Sequence, residues 1–278
     1  LVTENGNERI SNSYSPRMRH AFIKTDKWLA GQTWSTFQNV GALAENIDFV
    51  GPAEGTVFER QAMVRYTTGA WQFALENPET TLTPNGGGGR IVTDDGAFPD
   101  LVARYEMKGD WGNLVFAGLY RSLDFEDPAS GIDADEASYG LSVSGKHPVG
   151  AKDDFRWMLS GGTGLGRYLG LNTANGGVLT ANGDIEAIDS FAGFASYRHF
   201  WNPQWRSNLT LSFIDVDNDT NLTGTSVTKD TQSVHVNLIY SPLPKFDFGV
   251  EYIYATREVE SGLDGDMNRL QFAAKYTF

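Results

Sequence analysis

The sequence predicts an all-β chain that folds as a transmembrane antiparallel β-barrel. Three observations predict it: apolar and polar residues alternate along most of the chain, the connections between alternating segments are short and long in turn, and tryptophans cluster beside the short connections. Alternation with a period of two places the apolar side chains of a strand on one face. Short turns at one end and long loops at the other are typical of outer-membrane barrels, which have their short turns in the periplasm.

The alternation predicts about 13 strands, several of them long enough to cross a bilayer when tilted. It is clear near the end of the chain, where Leu270, Phe272 and Tyr276 share one parity and Gln271 and Lys275 share the other. The predicted strands are 17–25, 28–34, 57–67, 70–77, 100–108, 111–123, 137–147, 153–167, 188–201, 204–215, 231–242, 245–257 and 267–278.

The connections differ in length according to the end of the strands at which they lie. The long ones are predicted at 35–56, 78–99, 124–136, 168–187, 216–230 and 258–266. The tryptophans beside the short ones are Trp28, Trp71, Trp111, Trp201 and Trp205. An indole combines an apolar ring with a polar N–H group, which suits the membrane–water boundary. A soluble sandwich or propeller is the alternative, but it gives no reason for loop length to separate by end.

The composition excludes several classes of protein. The chain of 278 residues has a formal net charge of −13 and no cysteine. Without cysteine there are no disulfide frameworks, thiolate metal sites or thiol nucleophiles. The acidic total argues against a nucleic-acid partner, because such proteins usually have a basic face. A channel has no chemical step, so we expect no cofactor, no metal and no catalytic residues.

Strand parity bears on where the barrel begins. The predicted strands 17–25 and 267–278 both run toward the short-turn end. Bacterial single-chain barrels have an even number of strands and both termini in the periplasm. We therefore expect residues 1–278 to form a single barrel domain whose N-terminal strands are missing. One missing strand would give 14 in the complete protein, and three would give 16.

The polar residues between the lipid-facing apolar ones should face the lumen, and most of the charged ones are basic. The predicted pore-lining and solute-binding residues are Arg17, Arg19, Arg65, Arg104, Arg121, Arg156, Arg198, Arg206, Arg257, Arg269 and Lys275. The predicted inward acids are fewer: Glu59, Glu76, Glu106, Asp247 and Glu251. Arginine rings select anions, and the guanidinium fork binds both oxygens of a carboxylate. The sequence thus predicts an anion-preferring pore despite the negative total charge.

The long loop 35–56 carries more apolar residues than a surface loop needs. Folded into the barrel, it would narrow the pore with Phe37, Glu45, Asp48 and Phe49 as constriction residues. Glu45 and Asp48 would then face part of the arginine ladder. The alternative is a loop that contacts a neighbouring subunit or latches onto one, since long loops are often functional.

Two other functions are weighed against a porin. A non-conducting surface or adhesive barrel would need a plugged lumen, whereas inward small residues such as Ser142 and Gly140 favour an open one. An outer-membrane hydrolase would need a nucleophile with a positioned base. Only His235 among the histidines faces inward by parity, with Ser233 beside it, and no nucleophile-elbow signature is present.

Several segments carry a resemblance to a known family. The end of the chain, Ala274-Lys275-Tyr276-Thr277-Phe278, resembles the C-terminal strand signal of bacterial outer-membrane proteins. Seven further segments resemble the DcaP-type porin family: Arg19-His20-Ala21-Phe22, Trp28-Leu29-Ala30-Gly31-Gln32-Thr33-Trp34-Ser35-Thr36-Phe37, Asp48-Phe49, Gly51-Pro52, Arg60-Gln61, Val64-Arg65-Tyr66 and Tyr197-Arg198-His199-Phe200-Trp201.

The resemblance implies a trimeric, 16-stranded porin in the outer membrane of Gram-negative bacteria. It implies that the porin passes small anionic solutes such as dicarboxylates. It also implies that this chain lacks about three N-terminal strands of the family's barrel. The expected partners are two further copies of the chain, outer-membrane lipid and lipopolysaccharide, and the barrel-assembly machinery, which would recognise the terminal Phe278.

Overall fold

The computed structural model describes residues 18–277, which form two β-sheets. In chain order the strands are β1 (Ala21–Lys24), β2 (Trp28–Trp34), β3 (Arg60–Thr68), β4 (Trp71–Glu76), β5 (Thr80–Pro84), β6 (Ile91–Thr93), β7 (Asp100–Gly109), β8 (Gly112–Asp127), β9 (Ile132–Val149), β10 (Asp153–Thr163), β11 (Gly177–Leu179), β12 (Ile185–Ala187), β13 (Asp189–Phe200), β14 (Trp205–Asp217), β15 (Thr228–Leu243), β16 (Phe246–Val259) and β17 (Asp264–Tyr276). The connections contain three 3-10 turns and one short helix: Val40–Ala42, Gly166–Tyr168, Gly170–Asn172 and α1 (Thr220–Thr223).

The large sheet has 13 strands, and its order follows the chain: β1-β2-β3-β4-β7-β8-β9-β10-β13-β14-β15-β16-β17. Neighbouring strands are antiparallel throughout. All 13 predicted strands occur in this sheet, although the predicted strand 17–25 begins outside the described residues. The all-β, antiparallel fold class is therefore confirmed.

Three predicted boundaries are wrong. The strand predicted over 153–167 ends at Thr163, because Gly164 and Gly166 have φ values of +69° and +46°, which a strand does not contain. The long loops predicted at 124–136 and 258–266 are tight connections. The strands on either side of these connections extend beyond the segments in which apolar residues alternate. The pairs β8–β9 and β16–β17 stay hydrogen-bonded almost to the turns that join them.

A second, four-stranded sheet lies in the two longest remaining connections. Its order is β12-β11-β5-β6, and β5 runs parallel to β11. These segments lie in the predicted loops 78–99 and 168–187. Strands of three to five residues are too short to show a period of two, so their pairing is decided by contacts between distant loops.

The two faces of the large sheet differ sharply. On the outer face, large apolar side chains such as Phe73, Leu141 and Phe272 are exposed. On the inner face, small and polar side chains such as Ser144 and Thr210 are buried. Within residues 18–277, no helix is long and apolar enough to cross a membrane.

The main apolar core lies on the inner face. Its strand residues include Val102, Leu119, Met158, Phe194 and Ile214. The other side of this core consists of loop residues: Phe37, Val57, Leu165, Tyr168 and Leu169. Residues of two connections therefore form a second layer that packs against the inner face of the sheet, as in a two-layer domain.

Candidate functional site

The connection from β2 to β3, residues 35–59, is called the first inner loop. It turns onto the inner face at once by binding a buried carboxylate of β4. Ser35 Oγ donates to Glu76 Oε2 over 2.7 Å, and the Thr36 N–H donates to Oε1 over 2.6 Å. Hydrogen bonds to an ionised group are stronger than those between neutral groups, so they hold the start of the loop firmly.

Arginines of three strands then hold the main chain of this loop. In the order in which the loop meets their strands, Arg65 donates to the carbonyl of Trp34 (2.6 Å), Arg104 to that of Gln38 (2.8 Å) and Arg156 to that of Leu43 (2.7 Å). Residue numbers in the loop rise together with strand numbers, so the loop runs around the inner face from strand to strand. Each of these guanidinium groups is partly used in positioning the loop.

Glu45 is the most heavily bound acid of the first inner loop. Its carboxylate accepts from Arg206 at 2.8 and 3.0 Å and from Arg198 at 3.1 Å. Its carbonyl accepts from Asn237 over 2.9 Å. Burial opposes ionisation of Glu45, but the hydrogen bonds and charges of Arg206 and Arg198 outweigh it and hold the pKa of the carboxyl below its ordinary value. Glu45 therefore stays ionised near neutral pH.

The loop reaches the far strands through a buried acid of β16. Glu251 accepts from the main-chain N–H groups of Ile47 and Asp48 at 2.9 and 3.1 Å. Asp48 in turn accepts from Arg269 of β17 over 2.7 Å. The first inner loop thus contacts the inner face from β4 to β17, nearly the full width of the large sheet.

The connection that follows β10, residues 164–176, is called the second inner loop, and it is held by a buried charge cluster. Asp100 is 0% exposed and lies 3.4 Å from Arg121 and 3.2 Å from Arg167. The Tyr168 hydroxyl donates to it over 2.7 Å. Burial and the neighbouring acids raise the pKa of Tyr168 well above its ordinary value, so this donor keeps its proton.

The two inner loops are joined to each other. Val57 and Leu169 form an isolated antiparallel bridge, and the Gly170 N–H donates to the Thr56 carbonyl over 3.2 Å. The rings of Phe37 and Tyr168 meet edge to face with centroids 5.9 Å apart. The loops therefore form one packed unit on the inner face.

Small residues on β9 and β10 make room for this unit. A Cβ atom at Gly140 would clash with Leu165 and approach Phe37. Ser138, Ser142 and their neighbours are buried rather than exposed. These small residues therefore accommodate the inner loops, and the open lumen stays a prediction.

Charged side chains concentrate on the inner face at its short-turn end. Six cations and four carboxylates form two ion-pair networks: Arg104 and Lys108 with Glu106; and Lys146, Arg156, Arg198 and Arg206 with Asp154, Glu45 and Asp247. The cations outnumber the acids in both networks, which leaves a positive excess around the short-turn end.

The other predicted site residues are more scattered. Arg17 and the terminal Phe278 lie outside the described residues. Arg121 is buried under the second inner loop and has no exposed surface with which to bind a solute. Three further predicted residues lie near the ends of the sheet order. Arg19 lies 4.5 Å from the centre of the exposed Phe49 ring, and Arg257 donates to Thr228 Oγ1 over 2.7 Å. Lys275 lies opposite Asp247 in the β16–β17 register. Their contact with a solute stays a prediction.

Several charged residues of the site are absent from the predicted set. Lys108, Lys146 and Asp154 share strand parity with Arg104, Ser144 and Arg156, so the same parity argument finds them. Arg167 and Tyr168 follow two glycines in a loop, and no periodic signal places them near Asp100.

The one candidate nucleophile is poorly arranged for catalysis. Ser233 lies 3.1 Å from His235 Nε2, but its hydroxyl donates to Glu54 of the first inner loop, so the proton is directed away from the imidazole. Both side chains are buried beneath the loop. Among the described residues, no group of histidine and acidic side chains has the arrangement of a metal site.

Comparisons with known proteins agree with this architecture. The family model described as DcaP outer membrane protein matches residues 3–278. Among solved structures, the outer membrane channel DcaP of Acinetobacter baumannii is 24% identical with a TM-score of 0.81, and the alignment covers 94% of this chain and 75% of that one. No curated protein matches the chain.

Two more distant structures share the fold. The trimer form of in-vitro folded OmpT, an outer membrane protein of Vibrio cholerae, is 13% identical with a TM-score of 0.56; the alignment covers 96% of this chain and 83% of that one. The anion-selective porin from Comamonas acidovorans is 6% identical with a TM-score of 0.51, and 90% of this chain and 72% of that one are covered.

Proposed function

Because the chain belongs to the DcaP outer membrane protein family, it is an outer-membrane channel of the porin kind, and we propose that it passes small hydrophilic solutes with a preference for anions such as dicarboxylates. The observation that supports the preference is the pair of ion-pair networks at the short-turn end, which together hold six cations and four carboxylates. Excess cations along a narrow passage lower the cost of removing water from an anion.

We propose that the first inner loop narrows the pore. It crosses the inner face and carries the acids Glu45 and Asp48 toward arginines of β13, β14 and β17. Opposite charges on two sides of a passage create a field across it, which orients a dipolar solute. The exposed part of the loop around Phe49 would then form its narrowest edge.

We further propose that the protein is a homotrimer, with lipopolysaccharide around its outer face and the barrel-assembly machinery as its folding partner. The trimer form of the Vibrio cholerae structure supports this assembly by likeness of fold. The exposed apolar outer face is compatible with both lipid and a neighbouring subunit. Transport would be passive diffusion without a chemical step.

The test is the reversal potential of the purified protein in a planar bilayer under a KCl gradient, followed by addition of succinate. We expect the sign for chloride preference, and a smaller current when succinate is present. A cation-preferring pore would overturn the anion proposal. An absence of conductance would overturn the porin itself in favour of a non-conducting surface barrel, and ester hydrolysis by the purified protein would favour a hydrolase.

A further inference from the structure

A groove of about 450 Å³ lies at the short-turn end of the inner face, between the β7–β8 and β9–β10 turns. Its charged lining residues are three lysines and two carboxylates: Lys108, Lys146, Lys152, Asp153 and Asp154. Asn113 lines it as well. The lysine ammonium groups are accessible, since the side chains of Lys108 and Lys146 are 70% and 40% exposed.

The acids near the groove are already bound by other groups. Asp153 accepts from the Tyr197 hydroxyl and from the Phe200 N–H, both over 2.8 Å, and lies 2.7 Å from His199 Nδ1. Asp154 accepts from Arg156 over 2.7 Å and from Arg198, whereas Lys146 is 3.8 Å away. Because two guanidinium groups compensate this one carboxylate, the charge of Lys146 is left in excess.

Glu106 is shared in the same way. It lies 3.8 Å from Arg104 and 3.2 Å from Lys108. The side chain of Lys108 is the more exposed partner and is free to turn toward the groove, because exposed ion pairs are weak. The groove therefore has a positive field that its own acids do not cancel.

Asn113 fixes the distance between the two lysine-bearing strands. Its Oδ1 accepts from the main-chain N–H of Lys146 over 2.9 Å, and its Nδ2 donates to Glu106 over 3.3 Å. These two bonds hold β7, β8 and β9 together at the groove. The lysines are therefore presented on a rigid wall rather than on a mobile loop, which lowers the entropy cost of binding between them.

We infer that this groove is a binding site for one small oxyanion, carboxylate or phosphate, at the periplasmic mouth of the pore. The inference rests on the proposed function, since it places a binding site for the solute at one end of the channel. Lysine ammonium groups act as point charges and do not require the planar geometry that a guanidinium prefers, so both oxyanions fit. A solute that leaves the loop region would meet this excess of charge next.

The test compares Lys108→Gln/Lys146→Gln with the wild type by equilibrium titration of the detergent-purified protein with succinate and, separately, with inorganic phosphate. We expect the double variant to bind at least tenfold more weakly. Lys108→Arg/Lys146→Arg should retain binding within about threefold. Both lysines are exposed, so these substitutions leave the barrel folded, which heat-modifiability on gels verifies.

Lys229→Gln is the matched control, because Lys229 is 46% exposed at the opposite end, where it pairs with Glu258 over 2.8 Å. Its binding should stay within about twofold of the wild type. Equal binding by the wild type and the double variant, or an equal loss in the control, would overturn the site. Loss with only one of the two anions keeps the site and identifies its ligand. Binding is measured without conductance, so failure of the channel proposal in the bilayer is seen separately.

Discussion

The two inner loops occupy the same face of the sheet but are held by different forces. The second inner loop is fixed by a fully buried cluster of Asp100, Arg121, Arg167 and Tyr168. The ion pairs of the first inner loop, from Glu45 to Arg198 and Arg206 and from Asp48 to Arg269, retain contact with solvent. Burial makes the first kind of contact costly to break, whereas the second kind is screened and adjustable.

The difference suggests a division of labour. The buried cluster and the apolar core fix the second inner loop, and in the proposed channel the partly exposed ion pairs would set the electrostatic field along the path of a solute. The three experiments below change one side of this contrast at a time.

The largest effect is expected for Asp100→Asn. This change keeps the shape of the side chain but removes the counter-charge of the buried Arg121 and leaves Arg167 with Glu79 alone, 3.9 Å away. Breaking a buried ion pair typically costs about 3–5 kcal/mol. Urea unfolding followed by tryptophan fluorescence measures the loss. Asp48→Asn is the control, because its partner Arg269 is 48% exposed and exposed pairs contribute about 0–1 kcal/mol. Equal losses of unfolding free energy in the two variants would show that the two loops are held with similar strength.

A smaller effect on stability, but a larger one on selectivity, is expected for Glu45→Gln. Hydrogen bonds to charged groups contribute about 1.5–3 kcal/mol, so the middle of the first inner loop should loosen while the barrel stays folded. Arg198 and Arg206 lose a shared counter-charge, and the reversal potential should shift toward stronger anion preference. Glu45→Asp keeps the charge and should shift it less. An unchanged reversal potential would show that Glu45 lies outside the path of the ions.

The smallest effect is expected from acid. The pKa of Glu45 is lowered in the folded protein, so its contribution to loop docking is complete above the ordinary carboxyl value of about 4.3 and is lost as the pH falls through the lowered value. Single-channel conductance should therefore be constant from neutral pH to about 4.3 and rise as the pH falls through the lowered pKa of Glu45. Glu45→Gln should show no such rise attributable to this loop. An identical acid response in both proteins would assign the effect to other carboxylates.

The strands could be predicted because each carries its own signal. In β17 the outer residues Leu270 and Phe272 alternate with Arg269 and Gln271, and no distant contact is needed to see it. Glu45 and Asp48 were expected to face arginines, but the choice of Arg198, Arg206 and Arg269 depends on the path of the loop across the sheet. A long loop is predicted at 168–187, but its packing on the inner face is not, because Arg167 and Tyr168 meet Asp100 through the fold and not through a sequence period.

The course of the first inner loop also bears on how the protein folds. Its Ser35 binds a residue 41 positions later in the chain, whereas Asp48 binds one 221 positions later. Contacts of such separation in sequence form late, because the entropy of closing the intervening chain must be overcome first. We expect the loop to dock only after β17 has joined the sheet. A docked loop would then indicate that the barrel is complete, and its contacts with β17 would stabilise the assembled form.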